Sequence, residues 1–507
     1  MVTTHRVAAS GAARELARAH VLRRVFSFPV YLGALLVAGG FVGARSNLAD
    51  PDTWWHLKVG EQILRTRTWP TADSYSFAVF GTPWMAYEWL GEVIMASAAR
   101  LGGLRAPTVL LVALVGTLLV LLYYYAALRS GKSKAAFVAC ALVLPVAGAF
   151  FTLRPQLLGY IFLLVALICL EHFRRGRLWT LWVLPPLFLL WVNTHGTFVF
   201  GLMVLGLTWV CGQVGFSKGG LVAERWMPAQ SRRLVVILLL CMLVLPLTPY
   251  GTRLAAYPLE MSLYQPFNTA NIQEWQPLAF NLLLGKVFLG LLLLFFLTYA
   301  LQQPRFRVDD VALLLFGVFA ACVHLRFTLM FLLFFTPLLA VLLARWMPAY
   351  QPAKDRFGLN AVLVALIAGG LVFFFPSNGE LRKMVAKKYP QEAVEYLRAH
   401  AVTGPMLNEY GWGGYLIWTL GPERKVFIDG RADIYEYSGV FSDYLDIVRL
   451  EPDAFALLRK YDIQACLIAR KAALSTVLAA LPDWHAVYTD ETAVLYVHKR
   501  RQAAPED

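Results

Sequence analysis

Long apolar stretches recur along the whole chain, and they decide what it can fold into. Runs approaching the roughly 20 residues of a membrane-spanning helix lie at about 26–44, 105–128, 135–152, 154–171, 178–193, 196–216, 234–249, 283–301, 308–323, 327–344 and 359–375. They predict a mainly α fold, a polytopic transmembrane helix bundle of about eleven spans. Composition agrees, since 58% of the 507 residues are hydrophobic and only 15% are charged, against about 25% charged in a soluble domain. Five arginines (Arg6, Arg14, Arg18, Arg23 and Arg24) precede the first run without a small-residue cleavage site. That start reads as an uncleaved first helix rather than a signal peptide.

The net charge of +14 is explained by topology. With the N-terminus in the cytoplasm, five basic clusters fall on one side: Arg129/Lys132/Lys134, Arg174/Arg175/Arg177, Lys218/Arg225/Arg232/Arg233, Arg305/Arg307 and Arg345/Lys354/Arg356. This is the distribution the positive-inside rule demands. No basic stripe lies on a soluble fold, which excludes nucleic acid as a partner. The opposite face receives the loop at 45–104, Arg154, Asn193, His195, the loop from Tyr250 to Asn281, and His324 with Arg326. An odd number of spans sends the C-terminal segment there too. The polar residues that the bundle itself does not require therefore gather on one face, although Lys/Arg bias alone set the topology.

The chain divides into a cytoplasmic segment (1–25), a transmembrane domain (26–375) and an extracytoplasmic α/β domain (376–507). In the last, Gln391–His400 reads as a helix, Val426–Ile428 as a strand ending in Asp429-Gly430, and Tyr444–Arg459 as helical. A strand near Ala465–Ala469 and a terminal strand pair, His485–Thr489 with Ala493–His498, complete a small α/β sandwich. Cys140, Cys169, Cys211, Cys241 and Cys322 sit in or beside apolar runs, and Cys466 stands alone in the C-terminal segment. No disulfide within that segment and no Cys/His zinc spacing follow from this arrangement.

The chemistry-bearing residues begin just after the first run, at Asp50-Pro51-Asp52-Thr53-Trp54-Trp55-His56. Carboxylates close to the hydrocarbon edge mark a site. Asp50 and Asp52 fit a general base or the holder of a divalent cation that neutralises a phosphate. Asp50 before Pro51 is equally a helix start. His56, four residues past Asp52, shares its helical face and is either a phosphate contact or an interface residue. Trp54 and Trp55 read as interfacial anchors. Glu88 is a second acidic candidate, four residues before Glu92, the alternative being a solvated helix face. Arg154 and Arg326, at outer helix ends, match phosphate or reach lipid headgroups. His195 and Asn193 contact lipid phosphate or satisfy a turn. Glu274 completes a cation site or holds the acceptor, unless it is a solvated loop charge. Tyr410 and Trp412, in Asn408-Glu409-Tyr410-Gly411-Trp412-Gly413-Gly414-Tyr415, and the run Asp429-Gly430-Arg431-Ala432-Asp433 mark Gly-containing turns. Such turns define a fold, or approach the membrane site closely.

On these residues the chain resembles the polytopic GT-C glycosyltransferases. Asp50-Pro51-Asp52-Thr53-Trp54-Trp55-His56-Leu57 is similar in position to the acidic motif of that family's first outer loop, and the likeness covers roughly residues 26–375. The chain looks like a bacterial subgroup with the runs DxWWHL, EWL, RPQ, NxHG, EWxP, HxRF and YxWGGYLIW…FIDGRAD. More distantly it resembles protein O-mannosyltransferases and the catalytic subunit of oligosaccharyltransferases. Glu409–Tyr415 is similar in composition to the WWDYG motif of the latter but lacks its WWD, and Ile272-Gln273-Glu274 is similar to its second-loop motif. The resemblance implies a transferase taking a sugar from a polyprenyl-phosphate donor to a glycan, lipid or protein acceptor, on the non-cytoplasmic face of a bacterial inner membrane, among membrane lipids. It implies Asp50 or Asp52 as the catalytic base or metal ligand and Arg326 as a donor-phosphate contact. The residues themselves add Glu88 as a further catalytic acid and Glu274, beside Asp50 and Asp52, as a ligand of Mg²⁺ or Mn²⁺. His56, Arg154, His195 and Arg326 would hold donor phosphate, while Glu274, Tyr410 and Trp412 would assist acceptor or cation. Rival expectations are a lipid-linked glycan polymerase or ligase, and a non-enzymatic lipid-glycan flippase. The flippase requires polar groups near mid-span, whereas here they cluster at one end.

Overall fold

The computed structural model describes residues 22–48 and 50–499, with Ser262 described by its backbone alone. Most of the expected cytoplasmic segment, with Arg6, Arg14 and Arg18, lies outside the described residues.

Helices occupy every expected apolar segment. They are α1 (Phe28–Ala44), α2 (Pro51–Thr66), α3 (Trp89–Ala99), α4 (Arg105–Ser130), α5 (Ser133–Gly148), α6 (Pro155–Arg174), α7 (Leu184–Val192), α8 (Phe198–Cys211) and α9 (Pro228–Leu243). The second half adds α10 (Thr252–Tyr264), α11 (Pro266–Asn271), α12 (Leu283–Gln302), α13 (Val308–Val323), α14 (Thr328–Leu343) and α15 (Phe357–Phe373). At the centre stands α14, buried along nearly its whole length against α4, α5 and α13. A helix that is apolar all round belongs in such a position.

Among the described residues, four segments are long and apolar enough to cross a membrane: Arg105–Ser130, Pro155–Arg174, Leu283–Gln302 and Leu325–Leu343. A fifth is reached if α15 and the following helix α16 (Asn378–Ala386), bent by 61°, count as one span. The other expected spans are shorter helices. Prolines set several of the limits, with Pro29, Pro155, Pro185 and Pro228 each in a helix's first turn, where a missing N–H costs nothing.

At the end of the bundle carrying the basic clusters, part of the positive charge is internally paired. Arg129 grips Asp310 with two nitrogens (2.9 and 2.5 Å), Arg307 bonds Asp310 (3.0 Å) and Glu171 (2.8 Å), and Arg174 pairs with Asp309. Because the positive-inside rule counts Lys and Arg rather than net charge, this pairing leaves the orientation argument intact. A small sheet, β1 (Phe216–Lys218), β2 (Leu221–Ala223) and β3 (Phe306–Arg307), which the sequence did not announce, also lies here.

After α16 come α17 (Gln391–Ala399), β4 (Met406–Asn408), α18 (Gly413–Leu420), α19 (Ala432–Tyr437), α20 (Val440–Arg449), α21 (Ala454–Lys460), β5 (Ala465–Ala469), α22 (Ala473–Ala480), β6 (Trp484–Thr489) and β7 (Ala493–His498). The sheet order is β4-β5-β7-β6, with β4 parallel to β5 and the remaining pairs antiparallel. The single helix expected over Tyr444–Arg459 is two, broken at Leu450 (φ 61°) before Pro452. Val426–Ile428 is not a strand of this sheet. It pairs with the first outer loop instead: Phe77 N–H donates to Val426 C=O and Val426 N–H to Tyr75 C=O, both at 3.0 Å. That small exchange is how the C-terminal segment is tied to the loop carrying Asp52.

Candidate functional site

The start of α2 sets the geometry. Asp50 is its N-cap, Oδ1 accepting the Asp52 N–H at 2.9 Å, and Pro51 holds the first helical position. A second helix start faces it. Pro155 opens α6 and forces Arg154 into extended backbone (φ −131°, ψ 154°), so the Arg154 side chain leaves the end of the bundle. Thr53 Oγ1, fully buried, donates to Leu153 C=O at 2.9 Å and bolts the two starts together.

Arg154 then meets three carboxylates. Its Nε lies 2.7 Å from Asp50 Oδ1, and its Nη1 lies 2.9 Å from Asp52 Oδ2 and 2.5 Å from Glu274 Oε1. The other oxygen of Asp52 accepts the Trp55 indole N–H at 3.1 Å. Burial pushes the Asp52 carboxyl up to about 7, against the pull of Arg154 and with the help of Asp50 and Glu274. Burial acts on Glu274 in the same sense, but Arg154 and Arg326 outweigh it and hold that carboxyl below its ordinary value.

Behind this group runs a chain of buried acids and imidazoles. His56 Nδ1 is 3.1 Å from Glu92 Oε1, His56 Nε2 is 3.4 Å from Glu88 Oε2, and Glu88 Oε1 is 3.2 Å from His195 Nε2. The Thr197 N–H donates to His195 Nδ1 at 3.0 Å, so a neutral His195 carries its proton on Nε2 and donates to Glu88. Burial pushes Glu88 up to about 8 and His195 down to about 3, and it lowers His56 and raises Glu92. One assignment meets all of these directions. His195 donates to Glu88, protonated Glu88 donates to His56, and His56 donates to Glu92.

Asp52, His56, Glu88, Arg154, His195, Glu274, Arg326 and Tyr410 all line one cavity of about 310 Å³. They come from α2, the loop before α3, the α5–α6 and α7–α8 turns, the α11–α12 and α13–α14 connections, and the C-terminal segment. Much of the remaining wall is apolar, including Val199, Phe200, Leu254, Pro258 and Phe327. The Arg326 guanidinium lies 4.2 Å over the Trp275 ring. Among the described residues it has no ion-pair partner, and its buried Nε bonds nothing. A second cavity of about 230 Å³ shares Arg154, Gln156, Glu274 and Arg326 and takes in Asp50.

The architecture has solved counterparts. An oligosaccharyltransferase from Archaeoglobus fulgidus, tethered to an acceptor peptide containing the NVT sequon, superposes with a TM-score of 0.52 at 12% identity, over 95% of this chain and 75% of its own. The archaeal oligosaccharyltransferase AglB from Archaeoglobus fulgidus, in complex with an inhibitory peptide and a dolichol-phosphate, gives 0.51 at 11% identity, over 94% and 75%. ArnT from Cupriavidus metallidurans bound to undecaprenyl phosphate gives 0.52 at 14% identity, over 94% of this chain and 99% of its own. The chain has a GT-C-like fold. No family model and no curated protein sequence matches it, so the likeness is one of shape alone.

Within this GT-C-like frame the two glycine-bearing motifs have a physical purpose. A Cβ on Gly430 would stand 1.9 Å from Asp52 Oδ1, and one on Gly414 would stand 2.5 Å from Pro51 C=O. Both motifs therefore press bare backbone onto the first turn of α2. Between them Arg431, fully buried, grips Asp429 with two nitrogens (2.8 and 2.7 Å) and Asp73 of the outer loop with a third (2.6 Å). Asp433 completes the cavity wall: Tyr257 O–H donates to its Oδ2 at 2.8 Å, its buried Oδ1 has no partner among the described residues, and burial raises it to about 6. From the sequence, Asp433 belongs to a Gly-containing turn that either defines the fold or approaches the membrane site, and nothing in a soluble segment marks which acid faces that site. Trp412 departs from expectation, packing inside the C-terminal segment with its indole N–H on Lys388 C=O (3.0 Å). Trp54 and Trp55 are buried rather than interfacial: Trp54 stands edge-on to Tyr389 and Tyr415, and Trp55 lines the cavity. Glu88 and Glu92 are buried too, not a solvated face. Asn193 serves structure, bonding Leu189 C=O and Leu247 C=O and accepting the Trp89 indole.

Proposed function

We propose that the protein is an integral membrane glycosyltransferase that moves a sugar from a polyprenyl-phosphate-linked donor to a glycan, lipid or protein acceptor on the non-cytoplasmic face of a bacterial inner membrane. The observation that carries this reading is the meeting of Asp52, Glu88, His195, Arg154 and Arg326, from widely separated segments, on one half-apolar cavity in a GT-C-like fold. The about eleven spans and the outward C-terminal domain belong to the same proposal. Its 16- and 17-residue helices are about 24–26 Å long, a shortfall from the roughly 30 Å core that bilayers absorb.

In this reaction the bond between the sugar's anomeric carbon and the phosphate oxygen breaks, and a bond to an acceptor oxygen or nitrogen forms. Asp52 takes the acceptor's proton. A carboxylate titrating near neutral pH suits a general base, because it is available ionised while retaining affinity for the proton. The departing lipid phosphate keeps the electron pair. Arg326, a guanidinium without a carboxylate among the described residues, is placed to receive it, and charge-assisted bonds from arginine to phosphate are the strong kind. The apolar wall suits the first isoprenoid units. The test is turnover of a panel of polyprenyl-phosphate sugars by purified protein, wild type beside Asp52→Asn. Donor consumption lost in the folded variant supports the reading, and equal turnover in both sinks it.

A further inference from the structure

Asp50, Asp52 and Glu274 are the acids that the sequence offers as ligands of a divalent cation. Their geometry answers otherwise. Asp50 Oδ1 has spent both lone pairs, one on the Asp52 N–H that it caps and one on Arg154 Nε. Asp52 Oδ2 and Glu274 Oε1 share a single nitrogen of the same guanidinium. The oxygens stand 2.5 to 2.9 Å from nitrogen, the spacing of a guanidinium fork, whereas Mg²⁺ demands oxygens at about 2.0–2.1 Å in octahedral array. Arg154 cannot vacate its charge, since a guanidinium is not deprotonated in proteins. It cannot easily swing aside either. Its backbone is fixed by Pro155 on one side and by the Thr53 bond to Leu153 on the other, and its side chain is only 16% exposed. Among the described residues no group of three potential ligands, these acids included, is arranged to hold a metal ion.

We propose that Arg154 is the resident cation of this site: its guanidinium occupies the point where Asp50, Asp52 and Glu274 converge, and the wild-type protein takes no divalent ion there. What this cation does for a donor phosphate rests on the transferase reading above, but the ion content of the site is measured without it.

The experiment has two arms on the full-length protein in detergent. In the first, Mn²⁺ is titrated into metal-stripped wild type and free Mn²⁺ is followed by electron paramagnetic resonance. No stoichiometric binding is expected at submillimolar Mn²⁺. One tightly bound Mn²⁺ per chain, lost in Glu274→Gln, overturns the proposal. In the second, the melting temperature of Arg154→Ala is recorded with added guanidinium at low millimolar concentration, or with Mn²⁺. A rise with guanidinium and none with Mn²⁺ is expected, with wild type unmoved by either. A rise with Mn²⁺ alone overturns the proposal. Should Arg154→Ala fail to accumulate folded, Arg154→Lys replaces it, and the wild-type arm decides by itself.

Discussion

Asp52 can act as a base only when ionised, and burial holds its carboxyl at about 7. Donor turnover should therefore rise about tenfold per pH unit below 7 and level off above it, because each unit of alkalinity ionises proportionately more of the group. A profile flat from pH 5 to 8 would remove Asp52 from the role. Glu88 supplies a second limb. Burial raises it to about 8, with Asp52 and Asp433 adding to the rise and Arg326 and Arg154 opposing it, and in its protonated form it bridges His195 and His56. Above pH 8 it loses that proton, His56 loses its donor, and turnover should fall. Glu88→Gln keeps a donor and an acceptor in the same place but cannot titrate, so the alkaline limb should vanish while the plateau stays within about threefold. These residues were legible because each is a polar group set against an apolar run, an expensive placement. The cavity roles of Asp433 and Tyr257 were not, since in polar surroundings nothing in the sequence tells a cavity wall from a solvated surface.

At the scale of elements, the N-terminal turn of α2 is clamped from two directions. Gly430 and Gly414 lay backbone against it, and the Arg431–Asp429–Asp73 triad ties the outer loop to the C-terminal segment. Gly430→Ala drives a methyl into Asp52 Oδ1. It should cut turnover at least tenfold, while Gly411→Ala in the neighbouring motif, where a Cβ meets nothing within 4 Å, should be near wild type. Parallel assays of the two variants check this. Arg431→Met leaves Asp73 and Asp429 buried and uncompensated, a loss of about 3–5 kcal/mol. A large drop in melting temperature is expected, and an unchanged one would mean the triad does not hold the segments together. Helices were read within a few residues because a 20-residue apolar run has few other solutions. Val426–Ile428 misled for the opposite reason: three apolar residues before Asp-Gly announce an extended segment, but its partner, the loop at Tyr75 and Phe77, lies some 350 residues earlier, beyond the reach of any local pattern.

For the whole molecule, the proposed arrangement puts the paired charges at one end of the bundle in the cytoplasm and the cavity at the other end outside. The Arg129, Arg174 and Arg307 network lies at the end reached by α4 and α6 as they leave the cavity side, and exposed Lys354 follows α14 on that same side. The β4–β7 sheet, with exposed Lys471 after β5, stands beyond Arg154 on the other. Single cysteines at these two positions, in a variant lacking the six native ones, report sidedness directly. In intact spheroplasts a membrane-impermeant maleimide should label Lys471→Cys and spare Lys354→Cys until the membrane is opened. The opposite pattern would put the cavity in the cytoplasm, where Asp52 would meet nucleotide sugars instead of lipid-linked ones. Labelling at both positions would require an even number of spans between them and break the eleven-span arrangement. Because α15 and α16 are bent by 61° across the break between them, which lies between the two reporters, this pair of cysteines also decides whether that stretch crosses the bilayer or turns back within it.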